Sequence, residues 1–140
     1  MKARVTWVGD RTFTGAVEAG HQIAFGNAHG DSPKPGPSPM ELLLIGTGGC
    51  ASYDVVHILE RGREPVTEVV CDVTAERAET DPKVFTKIHL QFTVTGRGLS
   101  REKVERAVQL SAEKYCSASA MMAAMAEVTH GFEVVEAGAV

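Results

Sequence analysis

The chain has 140 residues, a formal net charge of −4, 44% hydrophobic residues and 23% charged residues, a size and balance that fit one soluble domain over 1–140 and exclude a tandem of domains. The acidic balance and the lack of any Lys/Arg cluster exclude a nucleic-acid footprint. The start, Met-Lys-Ala-Arg-Val-Thr-Trp, has no apolar leader, and no apolar run is read as reaching the roughly 20 residues of a membrane span, so a cytoplasmic protein with no membrane partner is expected.

The first 25 residues predict three short strands. Ala3, Val5 and Trp7 alternate with Arg4 and Thr6, Phe13 and Val17 flank Gly15, and Ile23 and Phe25 alternate with Gln22 and Ala24. Gly9-Asp10 and Ala19-Gly20 are the turn signals between them. A Pro/Gly/Ser loop follows to Ser38. A helix over 39–61 then opens with a cap at Ser38, a proline at the first helical position and Glu41 three residues after the cap, a capping box. Leu42, Leu43, Leu44 and Ile45 cover every direction of its first half, so a helix buried on all sides is expected. Gly46, Gly48 and Gly49 each cost roughly 1 kcal/mol in a helix interior relative to alanine. They fit a place where another backbone or a substrate approaches closely.

A hairpin comes next. Val69, Cys71, Val73 and Ala75 share one face and Ile88, Leu90, Phe92 and Val94 another, about a turn at Thr80-Asp81-Pro82. A second helix starts after the cap Ser100, with Val104, Ala107, Val108, Ser111, Ala112 and Tyr115 as its inner stripe. Ser117 is read as the cap of a short helix over 118–126, and Phe132–Val135 as a last strand. Strands, buried helix, hairpin, two helices and strand make an α+β domain.

The three cysteines hold most of the chemical information. A cytosolic chain gains little from a structural disulfide, so well-placed cysteines there point either to thiol chemistry or to small core residues. They form no CxxC pair, and the five histidines form no HxxxH spacing, so a zinc site is rejected. Cys71, on the apolar face of a strand, reads as a buried structural thiol. Cys116 lies where one helix ends and another begins, where a helix start favours thiolate. Cys50 is mid-helix, with Asp54 one turn on and His57 two turns on; Asp54 is expected to oppose its ionisation.

Ser-Pro-Met-Glu-Leu-Leu-Leu-Ile-Gly-Thr-Gly-Gly-Cys (38–50) resembles the first cysteine helix of the OsmC/Ohr family, and Glu-Lys-Tyr-Cys-Ser-Ala-Ser (113–119) resembles its second cysteine motif. The element order agrees over almost the whole chain, and the likeness is greatest to the YhfA-like branch. The resemblance implies an OsmC-like fold, strands wrapped around two central helices in an intertwined homodimer. It also implies thiol-dependent reduction of organic hydroperoxides, with Cys50 peroxidatic, Cys116 resolving, an external dithiol as reductant and no cofactor or metal. The two cysteines are expected within disulfide range, with Cys71 remote from both. The family pairs an arginine with a glutamate near the reactive cysteine. Here the glutamate position holds Met40, with Glu41 displaced by one, and the arginine is assigned to Arg11, with Lys34 as a substitute. The resemblance also admits a redox-responsive or ligand-binding dimer without fast turnover, its apolar pocket lined by the glycines and Met121, Met122 and Met125.

Overall fold

A computed structural model describes residues 1–138. The chain forms two compact units, Met1–Leu43 and Leu44–Val140.

The first unit is an antiparallel meander of β1 (Ala3–Trp7), β2 (Thr12–Val17) and β3 (Gln22–Gly26), the three strands expected from alternation. Phe13 and Phe25 face each other in the β2–β3 register, and their rings stack at 5.8 Å. The unit ends in the start of α1 (Pro39–Arg61). The capping box forms as expected. The Glu41 N–H donates to Ser38 Oγ at 3.2 Å, and Ser38 N–H donates to Glu41 Oε1 at 2.9 Å. Two of the orphan N–H groups of the helix start are thereby satisfied.

The second unit is built on a three-stranded sheet of order β4 (Val66–Arg77), β5 (Phe85–Gly96) and β6 (Glu127–Glu136). The hairpin β4–β5 is antiparallel, with Cys71 opposite Phe92 and Val73 opposite Leu90. Strand β6 runs parallel to β5 and spans ten residues from Glu127, longer than the expected Phe132–Val135. Its crossover contains α2 (Arg101–Leu110), capped by Ser100, whose Oγ accepts from Lys103 N–H at 3.3 Å. A π-helical turn, Ser111–Tyr115, and α3 (Ser117–Ala123) complete it. The core is formed by Ile88, Leu90, Phe92 and Val94 of β5, Val55 and Leu59 of α1, and Val104, Ala107 and Val108 of α2. The α+β class is as expected.

Within one chain α1 is buried on a single face, Thr47, Gly48, Ala51, Val55 and Leu59, while Ile45 is 58% and Tyr53 73% exposed, so one chain alone does not supply the burial on all sides expected of this helix. Two sequence expectations are corrected. Tyr115 is exposed, because the extra residue of the π-helical turn rotates the end of the α2 stripe outward. With 23 residues and an 18-residue stretch of mean hydropathy 1.5, α1 is long and apolar enough, by length and composition, to cross a membrane; its inner face is instead used in the core.

Candidate functional site

The side chains of Cys50 and Cys116, 66 residues apart in sequence, come close enough for the Cys50 sulfur to act on the ionisation of Cys116. Three local features bring them together, all within the second unit. Cys50 sits on the flank of α1, half-buried, beside the fully buried Ala51. Opposite it, the π-helical turn closes with Cys116 N–H donating to the Ser111 carbonyl at 2.9 Å, an i→i−5 bond, and α3 starts immediately after. Ser111 pins this junction to α1: its hydroxyl lies 3.0 Å from Asp54 Oδ2 and 3.3 Å from the Ala51 carbonyl oxygen.

Cys116, rather than the expected Ser117, is the N-cap of α3. Its Sγ accepts the Ser119 N–H at 3.3 Å. The helix start therefore acts on the sulfur as expected, yet the net effect is the reverse. Cys116 is 3% exposed, and burial raises its pKa against the opposing pull of Ser119, with the Cys50 sulfur adding to the rise. Desolvation of a thiolate outweighs one short helix. The resting Cys116 is thus a thiol held against Cys50.

Asp54 and His57 take other partners. The Asp54 carboxylate is engaged by Ser111, and His57 stacks on Tyr53 with ring centroids 6.1 Å apart. Cys71 is not remote from Cys116. Burial raises it to about 11, opposed by a hydrogen bond with Ser52, and the charges of Asp72 and Cys116 raise it further. Gly48 makes this approach possible, since a Cβ there would lie 2.7 Å from Val73 Cγ2 and 3.7 Å from Cys71 Sγ.

Arg11 belongs to the first unit, where its guanidinium donates to the Asp10 carbonyl at 3.4 Å. Lys34 is in the same unit, ion-paired to Glu41. That pairing, with the Ser38 N–H and hydroxyl, lowers the Glu41 carboxyl to about 2. Glu41 is thus both capping residue and lysine partner. Met121 and Met125 are exposed rather than lining an enclosed pocket. Among the described residues no three His, Cys, Asp or Glu side chains converge to hold a metal.

The sequence reading missed Ser111, Ser52 and Ser119. Ser111 left a trace there: a polar residue in the apolar stripe of α2 needs a buried partner. The other two become visible only when α1, β4 and α3 are placed.

Residues 29–131 match the family model described as OsmC-like protein. Protein YhfA of Escherichia coli (strain K12) is 48% identical over 137 residues, 98% of this chain and all of that protein. A crystal structure of a hypothetical protein from Aquifex aeolicus superposes with a TM-score of 0.86 at 29% identity, covering 98% of this chain and 97% of that one. The organic hydroperoxide resistance protein OhrB of Bacillus subtilis shares the fold, with a TM-score of 0.63 at 21% identity over 95% of this chain and 98% of that one.

Proposed function

The chain belongs to the OsmC-like protein family, and on that premise we propose that it is a thiol peroxidase for organic hydroperoxides, with Cys50 peroxidatic and Cys116 resolving. The observation that carries this reading is the closeness of two cysteines drawn from distant parts of the chain, near enough that Cys50 acts on the ionisation of Cys116. The Cys50 thiolate attacks the distal peroxide oxygen, the O–O bond breaks, and the alkoxide leaves to become the alcohol. Cys50 is then a sulfenic acid. Cys116, losing its proton, attacks the Cys50 sulfur and expels hydroxide as water. A two-electron dithiol, small or protein-bound, restores both thiols by exchange. Such a cycle uses no prosthetic group and suits the reducing cytoplasm.

The active form in this proposal is a homodimer. Ile45 and Tyr53 stand exposed on the outer face of α1, beside an open groove of about 520 Å³ lined by Gly49, Ser52, Tyr53, Val56 and His57. A second copy covers this face, as an exposed apolar helix face requires.

A second reading, a redox-responsive dimer with slow turnover, is favoured by the cations: Lys34 is held by Glu41, and Arg11 donates to the Asp10 carbonyl. Stopped-flow oxidation with an organic hydroperoxide beside hydrogen peroxide separates the two. Fast, Cys50-dependent oxidation selective for the organic substrate supports the peroxidase. Slow oxidation without selectivity supports the second reading.

A further inference from the structure

We propose that Ser119 activates Cys116 for the resolving step, its hydroxyl donating to the sulfur as the thiol loses its proton. This rests on the resolving role given to Cys116 above. Ser119 is 3% exposed, and its Oγ is buried with no hydrogen-bond partner among the described residues. A buried hydroxyl left unpaired costs about 1–3 kcal/mol, so one that persists beside a reactive sulfur points to a bond completed in another state. The neighbouring atom is the right acceptor. Ser119 N–H already donates to Cys116 Sγ at 3.3 Å, and a thiolate accepts more strongly than a thiol because the acceptor is charged.

The resting state explains why help is needed. Burial and the adjacent Cys50 sulfur keep Cys116 protonated, whereas Ser119 pulls the other way through the N–H bond it already makes. The titratable groups facing this sulfur are Cys50 from α1 and, at longer range, Cys71 from β4; Asp54 is occupied by Ser111. Once Cys50 is a sulfenic acid its sulfur is electrophilic, and the thiolate of Cys116 is what attacks it. Ionisation of Cys116 then sets the rate of disulfide formation. The proton passes to solvent base, and the hydroxide expelled from Cys50 takes up a proton to leave as water.

Ser119→Ala and Ser119→Thr test this in two experiments. In single-turnover oxidation by an organic hydroperoxide, the first, peroxide-consuming phase is expected unchanged in Ser119→Ala. The disulfide-forming phase is expected to slow about tenfold, and dimedone capture of Cys50 sulfenic acid to increase. Ser119→Thr, which keeps the hydroxyl, is expected to stay within about twofold of the parent. The second experiment needs no peroxidase activity. In a chain carrying Cys50→Ser and Cys71→Ser, the pH midpoint for alkylation of Cys116 is expected to rise by about one unit in Ser119→Ala, a tenfold loss of thiolate, and to be restored in Ser119→Thr. Equal midpoints in all three chains, each folded by circular dichroism, would overturn the proposal. A raised midpoint in a protein that does not react with hydroperoxides would leave the role of Ser119 standing and remove the peroxidase reading.

Discussion

The Ser111 hydroxyl and the Asp54 carboxylate, 57 positions apart in sequence, are 3.0 Å apart in the fold. This bond ties the π-helical turn to α1 one turn beyond Cys50. It also turns Asp54 toward a donor, which changes the part expected of that carboxylate.

Ser111→Ala is therefore expected to destabilise the protein by about 1–3 kcal/mol, since it strands a part-buried carboxylate. Denaturant unfolding measures it. Disulfide formation between Cys50 and Cys116 is expected to slow, because the junction that presents Cys116 is loosened. Asp54→Asn, which keeps an acceptor for Ser111, is expected to cost less. Equal stability of Ser111→Ala and the parent protein would remove the tether.

The α+β class, the meander, the capping box at Ser38 and the Cys50–Cys116 encounter were legible because each rests on local pattern or on a motif read in order. Strand β6 was read too short because its alternation is broken by His130 and Gly131, and pairing with β5 overrides that weak local signal. The place of Cys71 depends on how closely α1 lies on β4. That is a packing distance set by Gly48 and carried by no period in the sequence. The direction of the Cys116 shift was missed for a similar reason: the helix start is visible in sequence, whereas the burial that outweighs it is not.

Gly48→Ala tests that packing directly. Alanine gains roughly 1 kcal/mol of helix propensity but places a carbon 2.7 Å from Val73 Cγ2, and overpacking of this kind costs about 1–3 kcal/mol. Net destabilisation is expected. Adding Val73→Ala opens the space and is expected to cost less than the two single changes summed, a coupling that a double-mutant cycle in urea reads out. Strict additivity would show that Gly48 is not held by Val73.

Alkaline pH is expected to weaken the fold through its cysteines. Cys71 is raised from the ordinary 9.0 to about 11 by burial, and Cys116 is raised as well. Above the ordinary value the unfolded chain releases these protons while the folded chain keeps them, so the unfolded state binds fewer. Stability then falls with rising pH. The contribution is complete below about pH 9 and is lost as pH climbs through the folded values toward 11. Denaturation midpoints of the wild type are expected to decline over that window, and those of Cys71→Ala to decline less. Alkylation of Cys71 in the folded protein is expected to be slow at pH 8 and to accelerate toward pH 11. A midpoint that stays level from pH 8 to 11 in the wild type would contradict the assignment.

Gly46 and Gly49 test the proposed dimer. A Cβ at either position meets nothing within 4 Å among the described residues of one chain. For an isolated chain, Gly46→Ala and Gly49→Ala are each worth up to about 1 kcal/mol of added stability through helix propensity alone. A second copy packed on the outer face of α1 reverses that sign, because the added methyl groups enter an interface where two backbones approach closely. The reversal is expected. Sedimentation at micromolar concentration is expected to show the wild type as a dimer and each alanine variant shifted toward monomer, with a melting temperature that rises with protein concentration. Tyr53→Ser, which removes a large exposed ring from the same face, is expected to act in the same direction. Monomeric wild-type protein, stabilised by both alanine substitutions, would place the outer face of α1 in solvent and end the dimer proposal.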